Sequence, residues 1–145
     1  MNIRVISDRK LKKEIIEKCD TAFIHPLTKR ENYISIFEKI DKYAIFLAAY
    51  EENDAIGYAA LYANNFETRI AYITMIGVIE KMQRKQVGSC LMQKCIDAAA
   101  NAGMTQLRLE VADINAKAIS FYEYFGFVFE DRCSDESCHY IRTIP

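Results

Sequence analysis

Gln83-Arg84-Lys85-Gln86-Val87-Gly88 stands directly ahead of a stretch in which Val87, Leu91, Cys95 and Ala99 recur at helical spacing. A polar, basic turn feeding a helix start is the layout of an anion site. Unpaired backbone N–H groups and a partial positive charge gather at a helix N-terminus and suit phosphate. Arg84 and Lys85 add two cations beside them. The same turn also serves a helix that only needs a soluble start, so these residues alone allow either reading. Two further segments carry reactive groups. Leu109-Glu110-Val111 sets a carboxylate in an apolar run, as a general base or as a strand-end hydrogen-bond acceptor. In Phe121-Tyr122-Glu123-Tyr124-Phe125 the two phenylalanines are four apart and form a packing pair, which leaves the Tyr122 phenol on another face.

The elements that must hold these groups follow from periodicity. Ile3–Ile6 predicts a short strand, and Ser7 or Asp8 caps a helix running through Ile16. A second helix is expected from Lys29 to Ile40, after the break at His25-Pro26. Ala44–Tyr50 and Ile56–Tyr62 predict strands joined by the turn at residues 51–54, and Ile70–Ile79 a third. The helix opened by Val87 stops at Gly103. Leu107–Val111 is a buried strand, Asn115–Tyr124 a helix, and Phe127–Phe129 with Tyr140–Ile144 a closing hairpin. Strands and helices in this order predict one α/β (α+β layered) domain over residues 1–145, a mixed sheet flanked by helices.

Composition narrows the function. In 145 residues, 19 basic and 20 acidic side chains leave a net charge of −1, which argues against a broad phosphate-neutralising face and hence against nucleic acid. With 51% hydrophobic residues, a disordered chain is excluded. No apolar run approaches the ~20 residues of a membrane helix, and no signal peptide opens the chain, so neither membrane nor export is expected. Five cysteines, an odd number, fit reduced thiols in a cytoplasm. Cys133, Cys138 and His139 lack the spacing and the second ligand pair of a structural zinc site, so no metal is expected.

Taken together, Gln83–Gly88, Leu109-Glu110-Val111 and Asn115–Phe127 resemble the GNAT superfamily of acetyl-CoA-dependent N-acetyltransferases. That family's loop reads Gln/Arg-x-x-Gly-x-Gly/Ala. Its later signature, Asn-x-x-Ala-x-x-x-Tyr-x-x-x-Gly-Phe, is met at Asn115, Ala118, Tyr122, Gly126 and Phe127. The Leu-Glu-Val spacing is closest to the branch that acetylates ribosomal-protein N-termini. One position departs: Gln86 stands where the family has its middle glycine.

The resemblance implies a mostly antiparallel sheet of about seven strands with one splayed parallel pair. It implies acetyl-CoA as cosubstrate and a small-molecule or peptide amine as acceptor; a homodimer is compatible with it. Ile76, Gly77 and Val78 would pair with the pantetheine arm, one of their N–H groups polarising the acetyl carbonyl. Gln83, Arg84, Lys85, Gln86, Val87, Gly88 and Ser89 would hold the pyrophosphate, and Asn115 would face the arm. Tyr122 would return a proton to the thiolate and Glu110 would act as base, with Glu80 the fallback. Phe23, His25 and Tyr33 would border the acceptor. A non-catalytic acyl-CoA-binding module or a protein-interaction domain on the same scaffold is the alternative.

Overall fold

Asp8 opens the first helix through its own carboxylate, which accepts from the Leu11 N–H at 2.8 Å. The computed structural model describes residues 1–145. Its elements are β1 (Asn2–Val5), α1 (Arg9–Lys18), α2 (Tyr33–Tyr43), β2 (Ile45–Glu51), β3 (Asp54–Tyr62), β4 (Ile70–Val78), α3 (Val87–Asn101), β5 (Gln106–Ala112), α4 (Ala116–Tyr124), β6 (Val128–Arg132) and β7 (Ser137–Thr143). The strands form one seven-stranded sheet in the order β1-β2-β3-β4-β5-β7-β6. Only β4 and β5 run parallel; every other neighbouring pair is antiparallel.

Strands β2 and β3 are buried over nearly their whole length. That requires cover on both faces. Helices α1 and α2 pack on these strands and so does α3, which places α1 and α2 on one face and α3 on the other. Lys12 is buried yet satisfied: its Nζ lies 3.2 Å from Asp41 Oδ1 and 3.1 Å from the Asp41 carbonyl, tying α1 to α2. Under them, Phe46 and Tyr58 stack with ring centroids 5.2 Å apart.

The start of α2 and the closing hairpin depart furthest from the sequence reading. Helix α2 begins at Tyr33, not Lys29, because Leu27–Lys29 closes as a separate 3₁₀ turn after Pro26. The closing hairpin is longer than expected, Val128–Arg132 against Ser137–Thr143. Phe127 is not in it. Its side chain is buried and its N–H caps the end of α4. Glycine ends both later helices, Gly103 as expected and Gly126 in the same way. Gly103 and Gly126 each take φ +87°. The N–H groups of Met104 and Phe127 reach back to the Ala99 and Tyr122 carbonyls at 3.0 Å, closing a Schellman motif in each case.

Candidate active site

The parallel pair comes apart halfway. β4 and β5 are in register from Ile70–Gln106 to Ile73–Leu109, and no further. On its other side β4 skips a residue against β3, since Ala60 faces Met75 while Leu61 faces Ile73. Thr74 is therefore bulged out of the ladder at the point where the pairing with β5 stops. Between the parted strands opens a cavity of about 740 Å³. Ile76, Gly77 and Val78 line one wall, Glu110 the other. At Gly77 a Cβ would lie 2.7 Å from the Phe23 ring, so a side chain there would have to displace that ring.

At one end of the cavity lies the basic turn. The first intrahelical bond of α3 runs from the Cys90 N–H to the Gln86 carbonyl, 3.1 Å. The amides of Val87, Gly88 and Ser89 precede it and find no acceptor within the helix. No side chain caps this terminus. It is a donor cluster suited to an anion. Gln83 fixes the turn, its Nε2 donating to the Val78 carbonyl at 3.0 Å while Lys117 Nζ donates to its Oε1 at 3.1 Å. Arg84 and Gln86 both take left-handed backbone, φ 67° and 70°. Gln86 thus stands in the conformation that glycine adopts without cost. Gln83, Arg84, Gln86, Gly88 and Ser89 line the cavity. Lys85 and Val87 do not: Lys85 faces solvent and the Val87 side chain is in the core, so its backbone amide is what it can offer.

Helix α4 explains its own signature. Asn115 is the N-cap, accepts from the Ala118 N–H at 3.2 Å and lines the cavity. Gly126 supplies the left-handed stop, and buried Phe127 packs on the Tyr122 ring, centroids 5.8 Å apart. Phe121 and Phe125 pair at 5.1 Å, as their spacing predicts. Tyr122 faces the cavity, and burial, followed by the nearby Cys95 thiol, pushes its phenol up to about 12. It stays protonated across the neutral range.

Glu110 is an exposed strand residue that lines the cavity and accepts from Ser137 Oγ at 2.7 Å. Across the β4–β5 pairing, burial first and the Glu110 charge second push Tyr72 up to about 12. Glu80 sits exposed in the 3₁₀ turn Glu80–Met82 and does not line the cavity. Phe23 and His25 do line it. Tyr33 does not; it packs on Phe37 with its hydroxyl buried. Lys117 and Ser137, which hold Gln83 and Glu110, escape the sequence reading because sequence separation hides both contacts.

The Acetyltransferase (GNAT) family profile matches residues 13–127. Streptothricin acetyltransferase of Streptomyces lavendulae is 34% identical over 98 residues, 68% of this chain and 50% of that one. The chain thus spans about half the length of this curated relative. Among solved structures, the PaiA N-acetyltransferase of Thermoplasma acidophilum in complex with coenzyme A superposes with TM-score 0.77 at 19% identity, covering 99% of both chains. The ribosomal-protein-S18-alanine N-acetyltransferase of Escherichia coli gives 0.77 at 19%, covering 99% of this chain and 93% of the other. These two likenesses concern the fold; the family rests on the match over residues 13–127. By that match the chain belongs to the Acetyltransferase (GNAT) family.

Proposed function

We propose that the protein transfers the acetyl group of acetyl-CoA to a primary amine of a small molecule or peptide, by direct attack through a tetrahedral intermediate. The observation that carries this reading is the parted strand pair, with its anion-suited helix start at one end and Tyr122 and Glu110 on its walls. The residues present fit the cosubstrate, which supplies an acyl group activated as a thioester. Amides of Val87, Gly88 and Ser89, with the Arg84 side chain, hold the pyrophosphate. Backbone groups of Ile76–Val78, freed from pairing with β5, hold the pantetheine arm, and one N–H among them meets the developing oxyanion. Glu110, directly or through water, takes the proton that an ammonium must lose before it can attack. Tyr122 protonates the departing thiolate.

Nitrogen acceptors are in the names of both structural neighbours given above, and one of them holds coenzyme A. The five free thiols fit a reducing, cytoplasmic setting, and no helix is long and apolar enough to cross a membrane. The test is a panel of amines and peptides with acetyl-CoA, followed by release of free thiol. Turnover with one acceptor, slowed in Glu110→Gln chiefly below the pH at which that amine deprotonates unaided, supports the reading. Tight acetyl-CoA binding without thiol release across the panel assigns the chain to acyl-CoA binding alone.

A further inference from the structure

We propose that Glu110, Cys133 and His139 form a site for one thiophilic divalent cation of the Zn²⁺ class, at the rim of the cavity and sharing Glu110 with it. Along the sequence these residues have no metal-site spacing; strand register assembles them. Glu110 and His139 are direct cross-strand partners in β5 and β7. Cys133 opens the turn between β6 and β7, and its N–H donates to the Ser137 carbonyl at 3.0 Å, which folds the turn back over them. One ligand atom from each of the three lies within 4.8 Å of the other two. Zinc bonds of about 2.0–2.3 Å in a tetrahedron set ligand atoms roughly 3.5 Å apart. Rotation of the exposed Glu110 and Cys133 side chains closes that difference.

Outer contacts hold two of the ligands as a metal needs them held. His139 Nδ1 lies 2.7 Å from Asp131 Oδ1, leaving Nε2 as the ligating atom, and the imidazole packs edge-on against Tyr72 at 6.3 Å. A carboxylate on the far nitrogen is the usual support of a metal-bound histidine. Glu110 has one oxygen on Ser137 Oγ and keeps the other. Glu130, the other carboxylate near His139, is taken by Arg108 through bonds of 2.7 and 2.9 Å, so it does not compete. A thiolate and a carboxylate with a neutral imidazole balance a doubly charged ion, and the sulfur favours zinc over magnesium or calcium. Binding releases the Cys133 thiol proton to solvent and leaves a fourth position for water. Occupancy withdraws Glu110 from an incoming amine, a consequence that rests on the function proposed above.

The test is titration of metal-stripped protein with Co²⁺, then Zn²⁺ in competition with a chromophoric chelator. One equivalent of Co²⁺ is expected, with a near-ultraviolet thiolate-to-cobalt charge-transfer band that Zn²⁺ erases. Cys133→Ser abolishes the band, and Asp131→Asn weakens Zn²⁺ about 10–100-fold through loss of outer-shell support. Cys90→Ser, on α3 and away from the site, changes neither. Persistence of the band in Cys133→Ser, its loss in Cys90→Ser, or no retained ion at micromolar Zn²⁺ overturns the proposal. Circular dichroism of each variant verifies the fold. Both readouts are independent of acyl transfer, so a missing ion leaves the acetyltransferase reading standing, and a missing acceptor leaves the metal result standing.

Discussion

Tyr122 keeps its proton because of what surrounds it. Its ring lies between Phe121 and Phe127, and burial raises the phenol to about 12 from an ordinary value of 10. Tyr122→Phe keeps the ring and removes the acid, so kcat is expected to fall about 10²–10⁴-fold. Calorimetry should find acetyl-CoA affinity and Tm at pH 7 little changed. The raised phenol also links to stability. Above pH 10 the unfolded chain gives up tyrosine protons that folded Tyr122 and Tyr72 retain up to about 12, so the unfolded state binds fewer protons and stability falls as pH rises through that window. Denaturant midpoints between pH 9 and 12 should decline, less steeply in Tyr122→Phe. Gln86 gives the second test at this scale. Its left-handed backbone costs about 1–2 kcal/mol in a residue with a Cβ, and a β-branched side chain tolerates it worst. Gln86→Val should lower Tm and weaken acetyl-CoA, whereas Gln86→Gly should bind at least as well as wild type by titration calorimetry. The type of residue at 86 was readable from the sequence as a departure; its conformation was not, because only the turn's geometry reveals a positive φ.

Helix α4 shows how much an element can declare in advance. Cap, pairing face, stop and return contact all sit at Asn115, Phe121/Phe125, Gly126 and Phe127, and each follows from local rules that act within one or two turns. Helix α3 declares its glycine stop for the same reason. Helix α2 does not declare its start, since Leu27–Lys29 satisfies its hydrogen bonds as an isolated turn and the helical period alone cannot tell the two apart. Gly126→Ala meets no clash, its new Cβ at ordinary contact distance, 3.9 Å, from the Arg142 side chain, so its cost is conformational, about 1–2 kcal/mol. At roughly 2–4 °C per kcal/mol for a chain of this size, a loss of several degrees in Tm is expected. Because the same motif seats Phe127 against Tyr122, kcat should fall with it. Gly57→Ala is a steric case: the Cβ would come within 2.7 Å of the Gly77 carbonyl and 3.2 Å of the Val78 Cα. Pushing β3 off β4 should cost about 1–3 kcal/mol by denaturant melt, as overpacking does.

For the whole molecule, what sequence leaves hidden is long-range register. The bulge at Thr74, the short run of β4–β5 pairing and the meeting of Glu110, Cys133 and His139 all depend on which residue of one strand faces which of another. Periodicity carries no information about that. Acetyl-CoA, binding the native state alone, should stabilise it by about 2.7 kcal/mol at a hundredfold excess over Kd, visible as a rise of several degrees in Tm. The interrupted pairing has one more consequence. From Thr74 to Val78 the flank of β4 turned toward β5 is a frayed border inside the sheet, with main-chain groups of the kind that recruit a stranger's strand at a sheet's outer margin. The pantetheine arm occupies that border in the proposed complex. Protein concentrated without acetyl-CoA should therefore scatter more light on warming than protein saturated with it. Amide exchange at Ile76–Val78 should slow when the ligand is added, so that the cosubstrate doubles as a guard against self-association.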